Sequence, residues 1–221
     1  MGRTMASFHG FQQRDFSTDV RGTHWRNRQA LGRELRVRLR RIFGRRYQTW
    51  GWPGSNTMHI ARRAAYQFAA ARPQAALFVM ASTDFLRWGL ALPLSGSHWL
   101  NFRASLQHGA AMPILLQVMQ AHRLTFTDVS DPTGGALGGC WRFERGELVW
   151  REACSLPRPA VPHDILYRLD DLPADERRSL HLFCEVDAAT ALGWESKAAE
   201  RLLPLLSALI PLYEICIDFV A

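Results

Sequence analysis

The amino-acid sequence predicts an α+β fold, and three observations predict it. An apolar stripe at helical spacing runs through the N-terminal third. From about Gln74 onward the apolar residues gather into short strand-like runs, one of them a clear hairpin. Helical segments are interposed among these runs and another closes the chain, without the regular strand–helix alternation of a doubly wound sheet. The chain has 221 residues, 48% hydrophobic and 21% charged, which suits an ordinary globular protein with a real core. One domain over 1–221 is expected; a seam, if there is one, falls near Pro73 between a basic helical part and an acidic α+β part.

The lead "FHGFQQRDF" is apolar and aromatic. Asp19 or Thr23 then caps a helix through "WRNRQALGRELRVRLRRIFG". Leu31, Leu35, Leu39 and Ile42 recur at spacings of four, four and three and share one face, which Trp25 and Phe43 widen. Arg33, Arg36, Arg40 and Arg41 fall on the other side. Gly44 is the stop, and "YQTWGWPGSN" reads as a loop by its Gly, Pro, Ser and Asn. A second helix is expected in "TMHIARRAAYQFAAARP", from Thr57 to Pro73.

The period then changes. "QAALFVMAST" and "LRWGLALPLS" read as strands joined by a turn at "STDF". "SGSHWLNFRASLQHG", capped at Ser95 or Ser97, and "MPILLQVMQAHR", with Pro113 in its first turn, read as helices. "LTFTDVSD" is a strand and "DPTGGALGG" a glycine-rich loop. "CWRFERGELVWREAC" is a hairpin that alternates Trp141 and Phe143 with Leu148 and Trp150 around "ERGE". "PRPAVPHD" is a connector, and "ILYRLDD" and "SLHLFCEVD" read as strands around an acidic turn. The closing helix, "WESKAAERLLPLLSALIPLYEICIDF", is expected to break or kink near Pro204 and Pro211.

The net charge of +7 hides a division. Residues 1–72 hold 15 arginines against three acids, Asp15, Asp19 and Glu34, while the remainder is net acidic. Such asymmetry points to an anionic partner, or to the two parts docking on each other. No run of membrane-spanning length and no secretory signal is present, and Ala6 fills the slot where a myristoylation signal prefers Ser or Thr. The cytoplasm is the expected compartment, with no membrane partner.

The patches "FHGFQQRDF" (Phe8 to Phe16) and "HIARR" (His59 to Arg63) resemble the YktB-like family of uncharacterised bacterial proteins. That family opens with a similar Phe-x-Gly-Phe and Asp-Phe pattern and later carries a His-Val-Ala-Arg-like run. "AAARPQAALFV" departs from the family's Asn-Pro-Pro and Trp segment, and nothing after about Leu92 is similar. The resemblance implies an α+β fold and carries over no activity and no catalytic residue.

The arginine-rich helix is the leading functional candidate. Nucleic-acid binders need cations along one surface to displace counterions and aromatics to stack on bases. Arg33, Arg36, Arg40, Arg41, Arg45 and Arg46 supply the charge; Tyr47, Trp50 and Trp52 supply rings. The plain alternative is a solvated face over an apolar stripe with the tryptophans buried, but such a face normally mixes signs and this one holds the single acid Glu34. The same arginines have a second possible use, docking on Asp170, Asp171, Asp175 and Glu176 or on an acidic protein partner, which would make the chain a structural subunit.

Other motifs are weaker. Glu195-x-Lys197 has the spacing of half a metal-dependent nuclease site, with the chain's only lysine; such sites put the triplet on a central strand, whereas here it opens a helix, where Glu195 serves the helix dipole. "DPTGGALGG" lacks the Gly-Lys-Ser/Thr ending of a P-loop. His24, His59, His98, His108 and His122 have no nucleophile at a recognised spacing, and Ser95-Gly96-Ser97-His98 is not a nucleophile elbow. Cys140, Cys154, Cys184 and Cys216 read as thiols; His181 and Cys184 lie on a predicted strand and point to opposite faces, which argues against zinc. The expectation is therefore a nucleic-acid-binding protein that contacts mainly the backbone, with no catalytic residue, metal or cofactor assigned.

Overall fold

Leu31, Leu35 and Leu39 have no exposed surface at all. They form the inner face of α1 (Trp25–Phe43), as their spacing requires. Ile42, expected on the same stripe, is instead 54% exposed. The strand reached after Gly44 is β1 (Tyr47–Trp50). The computed structural model describes residues 7–17, 25–51, 56–65, 74–128, 137–152, 154–172 and 175–218. The capping positions Asp19 and Thr23, the seam residue Pro73 and most of "DPTGGALGG" lie outside them.

The fold is α+β, with seven helices and a nine-stranded antiparallel sheet among the described residues. The strands are β1, β2 (Thr57–Arg62), β3 (Ala76–Ala81), β4 (Phe85–Leu94), β5 (Thr125–Thr127), β6 (Gly139–Glu144), β7 (Glu147–Glu152), β8 (Arg158–Pro159) and β9 (Asp175–Asp187). Their order is β1-β2-β3-β4-β9-β5-β6-β7-β8. The helices after α1 are α2 (Gly96–Gln107), α3 (Ala111–His122), α4 (Pro162–Asp170), α5 (Ala188–Leu192), α6 (Ala198–Ala208) and α7 (Ile210–Ile217). The chain forms two compact units, each from three segments: Met1–Tyr66, Leu77–Trp88 and Glu185–Ser207 make the first, and Gln67–Ala76, Gly89–Cys184 and Ala208–Ala221 the second.

Three segments differ from the sequence reading. The expected loop at 47–56 begins as strand β1, with Tyr47 buried. The expected helix from Thr57 is strand β2, in which Met58 and Ile60 are buried. Two-residue alternation over only four residues, Thr57 to Ile60, was masked by the alanine-rich sequence that follows. Strand pairing decides the matter: β2 runs antiparallel to β1 (Tyr47 opposite Arg62, Trp50 opposite His59) and to β3 (Thr57 opposite Met80, Ile60 opposite Leu77). The expected strand "ILYRLDD" is helix α4. Pro162 sits in its first turn, the Asp164 carboxylate accepts from the Val161 N–H at 2.7 Å, and Ile165 and Leu169, four apart, are buried.

In the first unit the rings of the aromatic lead pack together: Phe8 and Phe11 edge to face with centroids 5.5 Å apart, and Phe11 and Phe16 tilted at 5.7 Å. Gly10 is needed there. Its φ is +101° and a Cβ would stand 2.8 Å from the Glu195 backbone. Asn27 on α1 holds the lead by accepting from the His9 N–H at 3.2 Å and donating to the Gly10 carbonyl at 2.7 Å. In the second unit β6 and β7 form the expected hairpin, closing at Glu144 opposite Glu147 and pairing Trp141 with Trp150 across it. Pro204 lies inside α6, while the chain breaks at Leu209; Pro211 follows in the first turn of α7, where its missing N–H costs nothing.

His98 on α2 is buried, and its Nδ1 accepts from the Ala75 N–H at 2.9 Å. Burial pushes its pKa below the ordinary histidine value, a shift that Asp218 partly opposes. A group that stays neutral in the folded state but protonates when unfolded gives stability that is whole above the unfolded pKa and is lost as pH falls below it. We expect the unfolding free energy from urea titrations to fall as pH drops below about 6.5, by at most about 1.4 kcal/mol per pH unit from this site, and His98→Gln to flatten that dependence. An unchanged slope in the variant would remove His98 as its source. Leu35→Ala should cost about 2–5 kcal/mol, and Ile42→Ala less than about 0.5 kcal/mol; similar losses for the two, read by chemical denaturation, would contradict the asymmetric burial of α1.

Candidate nucleic-acid interface

Fixing the leucine stripe fixes the arginines. Arg33, Arg36, Val37 and Arg40 follow one another at i, i+3, i+4 and i+7 and so line one edge of α1. That helix lies close on the β1–β2 hairpin: a Cβ on Gly32 would stand 2.7 Å from the Met58 sulfur and 3.4 Å from Thr49. Two adjoining clefts open along the edge and share Arg33 and Arg36. One, of about 280 Å³, is completed by Arg28, Gln29, Thr49, Trp50 and Met58. The other, of about 240 Å³, is completed by Val37, Arg40, Arg46, Tyr47 and Arg63. Among the described residues neither is lined by an acid. The hairpin supplies the far wall, because the Arg63 N–H donates to the Arg46 carbonyl at 2.7 Å and brings those two arginines side by side.

The arginines of α1 differ in how their charge is met. Arg28 is 1% exposed; its Nε donates to Asp15 Oδ1 at 3.1 Å and its Nη2 to the Asp15 carbonyl. Burial lowers its pKa, and the hydrogen bond and charge of Asp15 oppose that shift. Arg38 pairs with Glu34 at 2.8 Å and with Glu200 at 3.4 Å. The helix's single acid is thus engaged by Arg38, and it lines a neighbouring cleft that shares Arg33 and Val37 with the arginine clefts. Arg36 is half-buried, and its Nε is buried with no hydrogen-bond partner among the described residues. Burial, and then the charge of Arg33, depress its pKa.

The predicted site residues therefore divide. Arg33, Arg36, Arg40 and Arg46 meet at the clefts, with Arg40 and Arg46 exposed. Arg41 lines a different cleft with Glu34 and Arg38, and Arg45 is exposed in the turn after α1. Tyr47 is only 6% exposed, which leaves little of its ring for stacking. Trp50 lines the first cleft and stacks on His59, ring centroids 5.3 Å apart at 25°. Trp52 lies outside the described residues. Sequence reasoning missed Arg63 and His59, because a helix over 57–73 does not set either beside β1; the buried alternation of Met58 and Ile60 was the available signal. Of the acids considered as an internal dock, Asp170 accepts from Arg103 at 2.8 Å and Gln107 at 3.2 Å, Asp171 is exposed, and the side chains of Asp175 and Glu176 lie outside the described ones.

Elsewhere the chemistry is thinner. Glu195, Ser196 and Lys197 form an exposed 3-10 turn ahead of α6 instead of a strand. Among the described residues no group of three or more His, Cys, Asp or Glu side chains is placed to hold a metal ion. A larger groove of about 490 Å³ in the second unit mixes signs: Arg158 and Arg168 face Asp164 and Asp171, with the Arg168 guanidinium 4.1 Å over the Trp150 ring. Its described lining carries both signs, whereas the charged side chains among the described lining of the α1 clefts are all arginines. No protein-family model matches this chain, and no curated protein matches it either. The Asp15–Arg28 pair anchors the cleft wall from within, and removing one partner of a buried pair leaves the other charge uncompensated. Asp15→Ala should lower stability by about 3–5 kcal/mol, while Arg41→Gln should change it by less than about 0.5 kcal/mol. A loss below about 1 kcal/mol for Asp15→Ala, set against the same range, would show that the pair anchors nothing.

Proposed function

We propose that this protein binds nucleic acid, mainly through its phosphates, in the arginine-lined clefts between α1 and the β1–β2 hairpin. The observation that carries the reading is the convergence of Arg33, Arg36, Arg40, Arg46 and Arg63 on clefts that no acid lines among the described residues. A one-sign surface raises the self-repulsion of the folded state, and a polyanion relieves it while releasing its own counterions. Guanidinium groups also fit phosphate oxygens as two-pronged donors. Among the described lining residues arginines outnumber the uncharged polar side chains Gln29, Thr49 and Tyr47, which favours contact with the backbone. The cytoplasm is the compartment we propose; among the described residues no helix is long and apolar enough to cross a membrane.

Fluorescence anisotropy with labelled oligonucleotides tests the reading. The logarithm of affinity should fall linearly with that of salt concentration, by roughly 0.7–0.9 per phosphate contact. Arg36→Gln, Arg40→Gln and Arg46→Gln together should flatten that line by about two units with little change in melting temperature, whereas Arg38→Gln, on the paired flank, should not. A wild-type protein that shows no salt-dependent binding, or a triple variant that binds as the wild type does, overturns the proposal.

A further inference from the structure

We infer that the clefts select single-stranded nucleic acid over duplex, with one base stacking on Trp50 and the adjoining phosphates on Arg36, Arg40, Arg46 and Arg63. This rests on the reading above and narrows it. Two observations carry it, and the first is depth. Arg36 is half-buried and lines both clefts, so an anion that pairs with it must enter them, and its Nε is buried with no partner among the described residues. A buried donor left without an acceptor is costly, and filling it is a gain. Clefts of about 280 and 240 Å³ admit a single phosphodiester chain. A duplex carries its phosphates on the outside of a rigid rod whose minor groove alone is about 6 Å wide, and it meets only the exposed rim at Arg40, Arg45 and Arg46.

The second observation is the ring. Trp50 lies opposite His59 in the β1–β2 register and stacks on it. Burial keeps the His59 pKa below the ordinary value, so the imidazole is neutral near pH 7. It braces the indole without adding a charge. Trp50 also lines the cleft that holds Arg33 and Arg36. A braced ring at one end of an arginine track is the arrangement single-strand binders use, because every base has a stacking face while only an unpaired base can present it. His59 is a positioning residue here, and Trp50 a binding residue.

The test compares three probes on the full chain: an oligothymidylate of about twelve nucleotides, within the span of known single-strand sites, a duplex of equal length, and inorganic polyphosphate, which has charge but no bases. The wild type should bind the oligothymidylate at least about tenfold more tightly than the duplex. Trp50→Leu should weaken oligothymidylate binding about tenfold, leave polyphosphate binding unchanged, and leave the salt slope intact; Trp50→Phe should recover most of the loss. Should Trp50→Leu fail to fold, the wild type still decides the matter, since an abasic version of the oligonucleotide should bind about tenfold more weakly than the oligothymidylate. Duplex bound as tightly as single strand, or an abasic strand bound as tightly as oligothymidylate, overturns the single-strand inference and leaves the polyanion reading standing. Absence of binding to all three probes overturns both.

Discussion

Burial of Leu31, Leu35 and Leu39 on α1 is the constraint on which the first unit turns. A helix with this much positive charge and a single acid has little reason to be stable alone; isolated helices gain most of their stability from packing an apolar face. Once those leucines are withdrawn from water, the helix cannot rotate, and every other residue inherits its direction. Arg28 goes inward to Asp15, Arg38 goes to Glu34 and Glu200, and the Arg33, Arg36 and Arg40 edge faces the β1–β2 hairpin. The close approach at Gly32 and Met58 sets the depth of the clefts.

Charge then separates structural arginines from candidate binding ones. The buried Arg28–Asp15 pair is worth retaining because each partner satisfies the other; removal of one alone is what costs. Elsewhere in the first unit the buried Arg87 pairs at 2.8 Å with Glu185, which is itself exposed. At the clefts the protein places Arg36 beside Arg33 under partial burial, with a depressed pKa as the result. Folding does not require such an arrangement. A phosphate in the cleft would offset both the desolvation and the repulsion, which links the packing of α1 to the function proposed for it.

Much of the fold was legible because its periodicities are long. α1, α2 and α3, the β6–β7 hairpin and β9 all follow from spacing, and the α+β class follows from their order. What was not legible depends on partners distant in sequence. Thr57–Arg62 is a strand because β1 and β3 flank it, a fact no local window contains. "ILYRLDD" has only two buried positions, Ile165 and Leu169, and the capping carboxylate of Asp164 gives the better clue to helix α4. For the site, the charge count located the arginines. It did not separate Arg41 from Arg40, one residue apart but on different flanks, nor find Arg63, whose place depends on the Arg46–Arg63 backbone bond.

The most direct measurement is the set of arginine Nε–Hε signals in a nitrogen-15 NMR spectrum, followed as oligothymidylate is added. If the clefts hold the strand, the signals of Arg36, Arg40, Arg46 and Arg63 shift together and saturate at one concentration, while those of Arg28, Arg38 and Arg41 stay in place. Signals of Arg36 and Arg63 that remain still while those of Arg38 and Arg41 move, or a spectrum that does not change at all, would contradict the account.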